Sequence, residues 1–404
     1  MRQFKTLFYF EMKKILMRKS TWIIFGIFTA VSIFLMGTTF FGSTYIDGEF
    51  LETHMEGFAI DKEYGEKLSG RKVDATLLKE MQEAYKDIEN EKEKGYMLTD
   101  EYQLNVRPYS QVYTFVRELS RQAEINPLTI TEEEFYQSRT KFQKEQWENY
   151  YLTEKEQQYW QDKDKNLEKP FVFEYTMAYN DLVDMSGLYM ICLTVTFILA
   201  VCLSSVFADE HERRTDQMIL CSRFGRSHLY FAKILAGSIV SFGAGLIFFI
   251  CILAKNFIAY GTKGFTAAIQ LLMPAYSYPI SIGASFLILS GILFLSCILT
   301  GIFTMMFSEL IHSKVGTMAV MIIILFVARM IPIPTDYRIL SQLWNYIPIN
   351  MLKFDAGFTD IRLVSVFGLQ LTSWQFAPFL YIGLAVLFIW IGKRIYCRYQ
   401  VEGR

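Results

Sequence analysis

Residues 211–215 read His-Glu-Arg-Arg-Thr. This is how an HExxH helix begins, in which two histidines one turn apart hold zinc and the glutamate activates its water. Position 215 is threonine, so the second ligand is missing and the zinc-protease reading fails. Four histidines (His54, His211, His228 and His312) and six cysteines without a CxxC pair complete the inventory of soft donors. The histidines are not expected to share a site, and thiolate metal binding has no support. Trp390-Ile391-Gly392-Lys393 lacks the upstream glycine of a phosphate-binding loop. No serine in an apolar stretch stands beside a base. The expectation is therefore no catalytic residue, no cofactor-binding residue and no metal ligand. What stands out instead is charge. Residues 206–233, VFADEHERRTDQMILCSRFGRSHLYFAK, set four acids, four arginines and a closing lysine between two charge-free runs, 185–208 and 234–254.

Those flanking runs define the elements that must hold the charged stretch. Crossing a hydrocarbon layer of about 30 Å takes about 20 mostly apolar residues. The expected spans are 21–43, 185–208, 230–254, 281–307, 315–332 and 376–395. The fifth is the least regular, because its charge-free part is short and Arg329 must snorkel toward the interface. The fold class expected is an all-α polytopic membrane protein with six transmembrane helices.

Charge sets the orientation. Residues 44–184 carry 31 acids and 18 bases, whereas the other 263 residues carry 10 acids and 22 bases. Lysines and arginines crowd residues 1–20 before the first span and 393–404 after the sixth. By the positive-inside rule both termini are cytoplasmic. The elbow 209–229, the loop 308–314 and the tail 396–404 share that side. Residues 44–184, 255–280 and 333–375 lie outside. The expected location is a cell membrane. No nucleic-acid partner is expected.

Residues 1–20 mix Phe4, Leu7, Phe8, Ile15 and Leu16 with basic residues, as an amphipathic helix on the inner membrane surface does. The 44–184 insertion reads as mainly helical. Helices are expected over 73–95, 108–125 and 129–170, with a Thr131/Glu134 capping box opening the last. Its aromatics (Phe135, Phe142, Trp147, Tyr150, Tyr151, Tyr159 and Trp160) are enough for a core, and no cysteine falls in the segment. It is expected to fold by itself. Residues 333–375 are too apolar for ordinary loops and too broken for two more spans, so re-entrant or interfacial helices are expected there.

The charged stretch also carries a resemblance. It is similar to the motif of ABC-2 type transporter permeases, F-x-x-E-x-E-x-G-T followed by leucines, S-x-P-x-S-R and a lysine opening the next span. Phe207, Glu210, Glu212, Thr215, Ile219, Leu220, Arg226 and Lys233 stand at matching positions. Arg214 replaces the usual glycine and Arg223 the usual proline. The layout of 1–43 and 185–404 resembles that family too, with 44–184 as an added extracytoplasmic domain. The resemblance implies a permease subunit of an ATP-driven exporter that pairs with a second permease, identical or not. Two cytoplasmic ABC ATPase subunits would dock on the elbow and bind the ATP, so this chain needs no cofactor. Glu210, Glu212, Arg214, Thr215, Met218, Leu220, Arg223, Arg226 and Lys233 would form the ATPase-coupling surface, with the lipid bilayer and an exported substrate as further partners. The alternative is a membrane-anchored sensor or scaffold whose outer domain binds a ligand or an envelope component.

Overall fold

The computed structural model describes residues 2–46, 49–86, 99–122, 124–183, 188–353 and 355–398. The chain opens with α1 (Arg2–Leu16) and α2 (Lys19–Gly37). A hairpin of β1 (Phe41–Ile46) and β2 (Glu49–Thr53) leads into α3 (Met55–Leu68), α4 (Ala75–Tyr85), α5 (Ser110–Gln122), α6 (Glu132–Asn149), α7 (Glu154–Lys165) and α8 (Met177–Val183). The bundle resumes with α9 (Leu188–Leu203), α10 (Ser205–Glu212), α11 (Asp216–Cys221), α12 (His228–Tyr260), α13 (Ile282–Ile311) and α14 (Lys314–Met330). Short helices α15 (Arg338–Asn345) and α16 (Pro348–Met351) follow, then a hairpin of β3 (Val364–Val366) and β4 (Leu369–Leu371), then α17 (Ser373–Arg398).

Among the described residues five helices are long and apolar enough to cross a membrane: Lys19–Phe40, Leu188–Glu212, His228–Tyr260, Ile282–Ile311 and Ser373–Arg398. The fold is that of an all-α polytopic membrane protein. α13 forms the centre of the bundle and packs against α9, α12, α14 and α17. Small residues let the helices approach closely. A β-carbon on Gly237 would run into Met305, and one on Gly301 into Ser241. α2 lies on the outside and exposes Trp22, Ile23, Ile27, Val31 and Phe34. Such a face is at ease only in lipid.

α14, the fifth expected span, has 17 residues and a rise of about 25 Å. By length it falls short of the other five. Its start lies by the elbow, where Lys314 pairs with Glu212, and the chain beyond its end reaches the insertion, where Arg338 pairs with Glu156. It therefore runs between the same two ends of the bundle as α9, α12, α13 and α17.

The insertion sits at one end. Its own core gathers Val73, Leu77, Leu78 and Met81 with Val112, Phe115, Phe135, Phe171 and Phe173. The Thr131/Glu134 capping box is present, and a second box, Thr153/Glu156, opens α7. The insertion is not self-contained, however. Leu152, Trp160, Tyr179 and Leu182 belong to the core of the bundle. Trp160 Nε1 donates to the Ile361 carbonyl at 2.7 Å. Arg139, 1% exposed, pairs with Asp164 at 2.6 Å and donates to the Pro274 carbonyl at 2.6 Å. These bonds seat the insertion on both segments that connect the bundle helices at this end.

Three expectations change. The helix expected over 73–95 is seen as Ala75–Tyr85, and its part at 87–98 lies outside the described residues. The first span, expected to reach residue 43, gives way to strand at Phe41, where β1 begins. Residues 364–371 form a second hairpin where re-entrant helix was expected. There Phe367 and Gly368 both adopt positive φ (49° and 84°), the turn that matches the twist of paired strands. Two valines and two leucines in alternation carry that strand signal.

Candidate coupling site

The elbow begins at a break in the second span. α9 stops at Leu203, and the Ser308 hydroxyl from α13 steps into the interrupted ladder. It donates to the Ser204 carbonyl and accepts from the Phe207 and Ala208 amides at 3.2 and 3.0 Å. α10 then continues to Glu212, and the chain reverses at Arg213 and Arg214. Arg214 takes φ 55°, the left-handed conformation that glycine adopts without penalty. The arginine at the family's glycine position thus keeps the glycine conformation, and the Thr215 amide closes the turn on the Glu210 carbonyl at 2.9 Å. α11 carries the tip of the elbow. The Arg226 Nε donates to the Leu220 carbonyl at 3.3 Å, and the Tyr396 hydroxyl from α17 donates to the Gly225 carbonyl at 3.1 Å. α12 then leaves for the bundle.

The nine expected coupling residues fall into two groups. Glu212, Arg214, Met218, Arg223 and Arg226 are exposed, Met218 to 73%, and Thr215 is half-buried beside them. Glu212 pairs with Lys314 at 3.1 Å, and the ammonium holds its carboxyl below the usual range. Leu220 is 7% exposed, Glu210 8% and Lys233 0%.

These three point inward and are engaged within this chain rather than displayed on its surface. Lys233 Nζ donates to Glu210 Oε1 at 2.7 Å and to the Val206 carbonyl at 2.7 Å, lies 3.6 Å from Glu11 Oε2, and sits over the Phe207 ring. Lys14 completes the group at 2.6 Å from Glu11 and 3.3 Å from Glu210. Arg18 adds a pair with Asp209 at 3.0 Å and a hydrogen bond to the Ser205 hydroxyl. A charge cannot be left unpaired in an apolar interior, so Glu11, Glu210 and Lys233 are buried together, with the half-exposed Lys14 at their edge.

Glu11 was not among the expected residues. It stands in α1 between aromatic and basic neighbours, and only the packing of α1 along α12 shows its partner. α1 is a helix as expected. It is anchored by these ion pairs and by the buried Ile15 rather than lying loose on a surface. The separation expected for the histidines fails as well: the rings of His211 and His312 lie 3.9 Å apart, centre to centre. α13 returns to the elbow before His312, so residues far apart in sequence meet there.

An apolar cavity of about 370 Å³ lies elsewhere in the bundle, between Thr196, Leu299, Phe303, Leu325, Tyr346 and Leu384. It is not part of the elbow, and no charged side chain lines it.

A bundle of long apolar helices, with a charged elbow at one end and a folded polar insertion at the other, defines a multi-pass membrane protein. Residues 19–352 match the model of the ABC-2 family transporter protein domain, and the chain belongs to that family. It is accordingly a permease subunit of an ABC transporter, the membrane component of such systems. No curated protein and no solved structure matches it.

Proposed function

We propose that this chain is the permease of an ATP-driven exporter and that the elbow 209–229 receives the motion of a cytoplasmic ABC ATPase. The observation that carries this reading is the division of labour within the elbow. Its base is tied by buried ion pairs to α1 and α12, and its tip presents Met218 among Arg213, Arg214, Arg223 and Arg226. A tip that moved freely could not pass on a push; one bonded through its base to neighbouring helices moves them with it. An exposed apolar residue on a segment rich in exposed arginines is also the composition of a protein contact. ATP is bound by the partner in this reading.

The basic end faces the cytoplasm and the insertion faces outward, in line with the charge asymmetry. A second permease copy or homologue completes the transporter. Because the acids once expected to contact the motor are buried or paired within this chain, the contact falls to Met218 and the arginines.

The test is affinity purification of the tagged chain from cells that carry its gene natively, as parent and as Met218→Glu. An ABC ATPase that co-purifies with the parent and is lost from the variant supports the coupling role. A parent that brings down no ATPase favours the anchored sensor or scaffold instead.

A further inference from the structure

The loop from α13 to α14 delivers to the elbow a group that the coupling role does not use. His312 caps α13 in the left-handed conformation, φ 57°. That backbone is disfavoured for a residue with a β-carbon. Here it sets the imidazole against that of His211. Glu309, one helical turn earlier and 1% exposed, brings Oε2 to 3.2 Å from His211 Nε2. Its second oxygen, Oε1, is buried with no hydrogen-bond partner among the described residues. One donor atom from each of His211, Glu309 and His312 falls within 4.8 Å of the others.

We propose that His211, Glu309 and His312 bind one divalent transition-metal ion of the zinc type, with Asp216 as the residue that orients His211. Two imidazoles and a carboxylate are a donor set that zinc and its first-row neighbours accept, and one that magnesium or calcium, which prefer all-oxygen cages, do not. Metal–nitrogen and metal–oxygen bonds of about 2.0–2.2 Å hold tetrahedral donors roughly 3.4 Å apart. The donors, within 4.8 Å of one another, therefore need to close by no more than about 1.4 Å. Asp216 Oδ2 lies 3.4 Å from His211 Nδ1, on the opposite nitrogen from Glu309. A carboxylate behind a ligating histidine fixes its tautomer and strengthens it as a ligand. The buried, uncompensated Glu309 oxygen is what a bound cation would satisfy.

The second histidine missing from the HExxH pattern is thus supplied by another helix end. The chemistry differs from that of a zinc protease, since Glu212, at the position of the general base, is paired with Lys314. The ion would act as a clamp that ties α10 and α11 to the junction of α13 and α14.

The experiment uses the full chain in lipid nanodiscs, stripped with EDTA and dialysed. Zinc chloride is titrated by calorimetry, bound zinc is counted by mass spectrometry, and cobalt(II) is added separately for its visible absorption. The variants are His312→Asn, chosen because asparagine tolerates the left-handed conformation, and His211→Gln. The expected result is one zinc per chain, binding weakened about 100-fold or more in each variant, and a cobalt band that both variants lose. A parent without stoichiometric zinc and without a cobalt band overturns the proposal, as do variants that bind like the parent. If a variant elutes as aggregate, the stoichiometry and cobalt spectrum of the parent decide.

Discussion

Replacing Lys233 by methionine tests the ion cluster that fixes the base of the elbow. The cluster holds two carboxylates, Glu11 and Glu210, and two ammonium groups, Lys14 and Lys233, so it is neutral as built. Lys233→Met removes a wholly buried charge and leaves two acids facing Lys14 alone. Breaking a buried pair by taking one partner costs about 3–5 kcal/mol. Lys14 remains within reach of both acids, which places the loss near the lower end, about 3 kcal/mol. Lys14 itself is half exposed, so Lys14→Met should cost about 1 kcal/mol or less. Adding Glu210→Gln to Lys233→Met restores neutrality and should recover most of the loss. The assay is the unfolding midpoint in detergent, followed by fluorescence-detected size exclusion on parent, both single variants and the double variant. Equal midpoints for Lys233→Met and Lys14→Met would refute the reasoning. So would a double variant less stable than Lys233→Met.

Three further outcomes are expected. Asp164 and Glu156 resist the upward push of burial: Arg139 and Lys169 hold Asp164 far below its usual range, and the Leu363 and Thr153 amides with Arg338 hold Glu156 low. Carboxyls lowered in the folded state stabilise it above their normal range and lose that contribution as pH falls. The seat of the insertion should thus lose stability progressively below about pH 4, seen as a lower unfolding midpoint at pH 3 than at pH 6, followed by Trp160 emission in a variant retaining only that tryptophan, and equal midpoints would contradict it. Arg214→Gly relieves a left-handed arginine and should raise stability by about 1 kcal/mol, with a lower unfolding midpoint as the opposing result. A membrane-impermeant maleimide should label Leu104→Cys on intact cells and native Cys221 only after permeabilisation, since both side chains are exposed at opposite ends of the bundle; the reverse pattern would invert the assigned orientation.

The spans were legible because an apolar run of bilayer length has few other uses, and the insertion was legible because its charge changes sign. Capping boxes showed at Thr131 for the same reason, being local. What stayed hidden depends on partners distant in sequence. Glu210 reads as a surface acid until Lys233 and Glu11 are seen beside it. Trp160 and Leu152 read as core of the insertion, yet their neighbours are in the bundle. The aromatic run of 129–170 thus divides between two cores, which periodicity alone cannot tell apart. His211 and His312 looked separate because they are far apart in sequence; the topology put both on one side, but only the packing sets their rings together. The 364–371 hairpin was hidden by its short strands, whose apolar content equally suits a membrane-surface helix.

The most direct test of coupling through the elbow is ATP turnover in the purified transporter, permease with its ATPase, reconstituted at matched stoichiometry. Parent is compared with Met218→Glu and, as a control on the far side, with Leu104→Glu. Turnover of the Met218→Glu complex should fall to that of the ATPase alone, while Leu104→Glu keeps the parent rate. If Met218→Glu binds the ATPase and turns over ATP as the parent does, the elbow tip is not where the motor acts.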